Sequence, residues 1–131
     1  MAQRCAAGAC TPAAAALSDC DISENTARLA GGGIYYAGAG ATNSSSLALS
    51  ACRLADNVAI WTVNGSADAV GGGLFLGRSN FSVVGVAFEG NSAYYGGGLF
   101  VSADMAPAAG ATLAVLNLTN NRAVVGPAAY W

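Results

Sequence analysis

An all-β solenoid, a parallel β-helix of about four rungs, is the fold this sequence predicts, and three observations predict it. An apolar-x-x-Asn motif recurs four times, ending at Asn25, Asn57, Asn91 and Asn121, at intervals of 32, 34 and 30 residues. A glycine triplet or its remnant follows each one: Gly31-Gly32-Gly33, Gly71-Gly72-Gly73, Gly96-Gly97-Gly98 and Gly126-Pro127-Ala128. Helical periodicity is found nowhere, whereas short apolar runs alternate with a period of two. A repeat near 30 residues is one supersecondary unit that buries no apolar face alone, so neighbours must stack to share a core.

The elements follow in chain order. Residues 1–16 read as an irregular N-terminal segment, with one Arg and no apolar stretch of the length a secretory leader needs. Rungs are expected at about 17–46, 47–80, 81–111 and 112–131. Both ends fall in mid-pattern, with Tyr130-Trp131 where a strand should continue, so the expectation is a fragment of a longer stack.

Within each rung the first strand runs up to the Asn. Three residues before it stand Ile22, Leu54, Phe88 and Leu118, and five before it stand Cys20, Cys52, Val86 and Leu116. These columns share a face, since strand side chains alternate, and the mostly polar column between them, Asp21, Arg53, Ala87 and Asn117, points the other way. Asn suits the turn that follows because it tolerates left-handed backbone and its amide can bond the amides above and below. Ala27, Ala59, Ala93 and Ala123 then put a small residue where the chain turns against the core. The glycines suit a corner that needs positive φ or a close approach to the next wall. After the triplets, Ile34-Tyr35-Tyr36, Leu74-Phe75-Leu76, Leu99-Phe100-Val101 and Ala129-Tyr130-Trp131 read as second strands.

Composition narrows function by exclusion. The 131 residues carry a net charge of −2, and the basic residues are scattered Arg side chains with no stripe to track a phosphate backbone, so nucleic acid is not an expected partner. No run of apolar residues is long enough to cross a bilayer as a helix. The glycine triplets precede no helix and no Lys, which removes the phosphate-cradle reading.

The paired motifs resemble the polymorphic outer membrane protein repeats of chlamydiae, whose signature joins Phe-x-x-Asn to Gly-Gly-Ala followed by Ile, Leu or Val. Phe88-Glu89-Gly90-Asn91 is the one complete copy of the first motif, and Gly31-Gly32-Gly33-Ile34, Gly71-Gly72-Gly73-Leu74 and Gly96-Gly97-Gly98-Leu99 carry Gly for the family's Ala. The resemblance covers residues 17–131. It implies a right-handed, pectate-lyase-like β-helix at a cell surface, which in that family is an adhesin passenger attached to an outer-membrane barrel. No barrel is present in this sequence. Similar repeats also occur in large extracellular proteins of algae and protists.

Few groups are left for chemistry. With no His and no Lys, the commonest general base and the Schiff-base amine are absent. Related folds host polysaccharide lyases and hydrolases, which need carboxylates gathered on one wall. The acids are Asp19, Asp21, Glu24, Asp56, Asp68, Glu89 and Asp104, and no such gathering is legible; Asp21 opposite Arg53 reads as a cross-strand ion pair. Catalytic residues, cofactors and metals are therefore not expected. Cys20 and Cys52 stack in one column as small core residues, with a disulfide between them possible by spacing, while Cys5 and Cys10 can pair in an oxidising compartment.

Asn43, Asn64 and Asn80 head glycosylation sequons expected in loops, and Asn117 heads a fourth. Two features are candidate binding surfaces. Tyr35, Phe75, Phe100 and Tyr130 place one aromatic in every rung; outward, they form a ladder able to stack sugars or a protein, and inward, a core stack. Their apolar flanks want the core, which favours the outward reading. The other feature is the insertion from Ile60 to Val70, with Trp61 near its base and Asn64-Gly65 as a tight turn, although plain loop variation is the preferred account. The function expected is an extracellular or cell-surface structural or adhesion module meeting a protein or carbohydrate; the alternative is a carbohydrate-binding or polysaccharide-cleaving domain.

Overall fold

The computed structural model describes residues 14–37, 46–60, 69–77, 79–102 and 111–130. Among these the chain is all-β, with parallel strands throughout and no helix. The first repeat contains β1 (Ala14–Ser18), β2 (Asp21–Ser23), β3 (Thr26–Arg28) and β4 (Ile34–Tyr36). The second repeats that order with β5 (Ser46–Ser50), β6 (Arg53–Ala55), β7 (Val58–Ile60) and β8 (Leu74–Leu76). The third has β9 (Asn80–Val84), β10 (Ala87–Glu89) and β11 (Leu99–Val101), and the fourth has β12 (Thr112–Ala114), β13 (Asn117–Thr119) and β14 (Ala129–Tyr130).

Among the described residues strands pair between repeats, never within one. Three four-stranded sheets run β1-β5-β9-β12, β2-β6-β10-β13 and β4-β8-β11-β14, and β3 pairs with β7. Single bridges at Ser92 and Arg122 continue that last pairing into the third and fourth repeats. The register is the one the Asn alignment implies: Ile22, Leu54, Phe88 and Leu118 are Cα partners in sequence.

Burial explains why this register is held. In β5, Leu47 and Leu49 point inward between outward residues, as do Leu74 and Leu76 in β8 and Phe81 and Val83 in β9. With Leu54, Val86, Phe88 and Leu99 they form one apolar core, in which Phe88 and Leu54 are wholly enclosed. Burying each such side chain contributes about 1.5–3 kcal/mol, and a slip of one residue would turn the whole set to solvent. Ile22 and Leu118, in the outer repeats, are only partly covered, each having a strand partner on one side only among the described residues.

Two differences from the sequence reading have physical causes. Each repeat opens on a strand ahead of the motif, at Ala14, Ser46, Asn80 and Thr112, so β1 begins inside the segment expected to be irregular. Its residues are small (Ala14 to Ala16), and their apolar alternation is faint. The left-handed backbone is not at the motif Asn but one residue earlier, at Glu24, Asp56, Gly90 and Asn120, with φ of 58°, 52°, 63° and 53°. A second left-handed column, Asp19, Ala51, Gly85 and Val115, separates the first two strands of every repeat. Val115, β-branched with φ 52°, is a true outlier there. Cys20 and Cys52, between which the sequence leaves a disulfide open, are joined by one, with Cα atoms 4.6 Å apart. Cys5 and Cys10 lie outside the described residues.

Candidate functional site

Most of the distinctive polar chemistry of the chain is spent on stacking. The motif asparagines form a continuous side-chain ladder: Asn25 Nδ2 donates to Asn57 Oδ1, Asn57 Nδ2 to Asn91 Oδ1 and Asn91 Nδ2 to Asn121 Oδ1, each at 3.0 Å. Each acceptor oxygen also takes the backbone N–H of the preceding Asn, at 3.0–3.1 Å. The remaining Nδ2 proton of Asn57, Asn91 and Asn121 goes back to the carbonyl of Ile22, Leu54 and Phe88 respectively, each at 2.8 Å. Asn57 and Asn91 are fully buried, so this satisfaction is what makes their burial tolerable.

The glycines are the other half of the same device. The first of each triplet, Gly31, Gly71 and Gly96, with Gly126 in the fourth repeat, has φ near 60°. The second faces backbone: a Cβ on Gly72 would overlap the Gly97 carbonyl oxygen and lie 2.6 Å from that of Ser92. The third lies under the next asparagine, since a Cβ on Gly73 would sit 3.1 Å from Asn91 Cγ and one on Gly98 at the same distance from Asn121 Cγ. Opposite, Ala59, Ala69 and Ala93 fill a small second core with Tyr94 beside it.

Two surfaces remain. The first is the aromatic row. Tyr35, Phe75, Phe100 and Tyr130 alternate with inward-facing neighbours, and Tyr35 is 59% exposed. Their rings stack in sequence with centroids 4.8, 5.5 and 5.3 Å apart and interplanar angles of 2°, 8° and 13°. Tyr95 joins the row through a tilted contact with Tyr130, and Tyr94 packs edge-on against Tyr95. Ring faces are therefore turned to one another, and the row shows solvent mainly its edges. That geometry suits contact with a protein surface better than stacking of sugar rings, which needs open faces.

The second surface, not legible in the sequence, is a polar groove of about 900 Å³ along the outside of the Asn turn, lined by Arg53, Asp56, Glu89, Gly90, Ser92, Asn120, Asn121 and Arg122. Arg53 donates to Glu89 Oε2 at 2.8 Å and to Asp21 Oδ2 at 3.2 Å, so the expected Asp21–Arg53 pair is one arm of a triad spanning three repeats. The hydrogen bond Arg53 donates to Glu89, and then the one it donates to Asp21, raise its pKa above the ordinary value. At the far side of the core wall, the Tyr36 hydroxyl donates to the Ser46 carbonyl at 2.7 Å, and burial pushes its pKa up.

The remaining sequence candidates fare unevenly. Trp61, Asn43 and Asn64 lie outside the described residues. Asn80 is not in a loop: it opens β9, whose Phe81 and Val83 point inward, and is half-buried. No three metal-ligating side chains converge among the described residues, and no helix there is long and apolar enough to cross a membrane. Compared with known proteins, the chain matches no family model, no curated sequence and no solved structure.

Proposed function

We propose that the chain is a module of a right-handed parallel β-helix, related to the polymorphic outer membrane protein repeats, that serves at or outside the cell surface as a structural or adhesive element. The observation that carries this reading is the aromatic row crossing all four repeats, exposed at Tyr35 and Tyr130 and half-buried at Phe75 and Phe100, on a scaffold whose Asn, Gly and Ala columns are consumed by stacking. Aromatic side chains in a contiguous exposed patch are the usual anchors of protein contact. Support for the winding comes from pairing that always joins a strand to its equivalent one repeat later, and parallel crossovers of this kind are right-handed almost without exception. Support for the location comes from the Cys20–Cys52 disulfide, a bond that persists in oxidising compartments.

Microspheres coated with the purified chain test this on cell monolayers and immobilised matrix proteins. Attachment above albumin-coated beads is expected, with most of it lost in a Tyr35→Ser, Phe75→Ser, Phe100→Ser variant that keeps its β-sheet circular dichroism. Attachment no greater than albumin on every surface would sink the adhesive reading.

A further inference from the structure

The side chains of Asp56, Ser92, Asn120 and Arg122 line one groove, yet none of them takes part in a hydrogen bond or ion pair among the described residues. Their convergence follows from the turn. Asp56 and Asn120 occupy the left-handed column just before the motif Asn, and Ser92 and Arg122 occupy the position just after it. Gly90 stands between Asp56 and Asn120 in that column, so the wall there has a gap one side chain wide. The Asp56 carboxylate leans into the gap: a Cβ built on Gly90 would overlap Asp56 Oδ1. The Arg53–Glu89 pair closes the neighbouring side.

The chemistry of this lining selects among ligand classes. Two guanidinium groups and two carboxylates balance to zero, and no apolar side chain is present. An anion would meet Asp56 and Glu89, a cation would meet Arg53 and Arg122, and a peptide would find no pocket for an apolar side chain. A hydroxyl both donates and accepts, so a pair of adjacent hydroxyls can accept hydrogen bonds from Arg122 or Asn120 while donating to Asp56.

We propose that this groove is a binding site for a neutral, hydroxyl-rich saccharide, held by Asp56 and Arg122 across Gly90 with Ser92 and Asn120 as further partners. This deepens the adhesive reading by naming a ligand chemistry, and rests on it for the setting in which such a ligand is met. The site is separate from the aromatic row, whose rings present edges.

Titration of the 15N-labelled chain with cellobiose, maltose, lactose and N,N′-diacetylchitobiose, followed by amide chemical shifts, tests it. Saturable shifts are expected at Gly90, Ser92 and Arg122 for at least one of the four, at millimolar affinity. Asp56→Asn and Arg122→Gln should each weaken that binding about tenfold or more, because each removes a charge-assisted hydrogen bond. Neither side chain has a hydrogen-bond or ion-pair partner among the described residues, so the variants should keep the parent spectrum elsewhere. The Phe100→Ser variant should bind sugar as the parent does. No saturable shift with any of the four would overturn the proposal, as would unchanged binding by both charge variants, or shifts at these amides only with a sulfated disaccharide or a peptide pool. Bead attachment that persists alongside such a null result would leave the adhesive reading standing while removing this one.

Discussion

Asn91 shows how much one side chain does in this molecule. It accepts from the backbone and side chain of Asn57, and donates to Leu54 and Asn121, all without access to water. Replacing it with Ala strands those buried groups, each at a cost of about 1–3 kcal/mol. Asn91→Ala is expected to lose about 3 kcal/mol or more in urea unfolding, against less than about 1 kcal/mol for Asn25→Ala, whose side chain is exposed. Equal losses at the two positions would show that the ladder is not cooperative. At this scale the sequence was informative about which residues mattered and less so about their geometry. The Asn column was legible from spacing alone, because a side chain that must meet its own copy demands strict recurrence. Its φ was misplaced by one residue, since Glu24, Asp56, Gly90 and Asn120 share no residue type that marks them.

Among the elements, strands flanking the motif were legible and those preceding it were not. For β1 the difference lies in side-chain size; β5 and β9 do alternate, with Leu47, Leu49, Phe81 and Val83 inward, but the left-handed positions Ala51 and Gly85 that part them from the motif strand share no residue type that marks a corner. β4, β8 and β11 carry large apolar residues around an aromatic, whereas β1 reads Ala-Ala-Ala-Leu-Ser, where period-two alternation has little amplitude. Short, small-residue strands at the first repeat also leave it thinly packed, with Ala15 where the second and third repeats have Leu47 and Phe81. The Cys20–Cys52 bond ties this repeat to the next across a separation of 32 residues. A cross-link of that span stabilises by about 3–4 kcal/mol in the chain-entropy account. Reduction, or Cys20→Ser, should therefore lower the urea midpoint and release amide protection first in β1 and β2; protection that stays intact there would show the bond to be dispensable. The groove was illegible because Asp56, Ser92, Asn120 and Arg122 come from three repeats and share only their place beside the turn.

For the whole molecule, contacts between repeats dominate and those within a repeat are few, so stability is a chain of nearest-neighbour interfaces. Large apolar side chains left exposed gather in the outer repeats: Leu17, Leu29 and Tyr35 in the first, and Leu113, Val115, Val124, Val125 and Tyr130 in the fourth. Among the described residues Ile60 is the exception, in the second. Native-state hydrogen exchange is expected to grade accordingly, slowest at Leu54, Phe88 and Leu74 and fastest toward β1 and β12–β14. A single uniform rate at which all sheets open would instead mean that the four repeats unfold as one unit.

The ladder at Asn25, Asn57, Asn91 and Asn121 also has an arrow. Every carboxamide oxygen that is bonded looks back toward the preceding repeat, and every donation from one Asn to another looks forward. The amide dipoles thus add along the axis instead of cancelling, and each polarises the next. Two such columns brought together with opposed arrows would set oxygen against oxygen or hydrogen against hydrogen. Any surface that joins the ladder must share its direction, so a two-fold symmetric contact through it is forbidden and only translation along the axis is compatible with its chemistry.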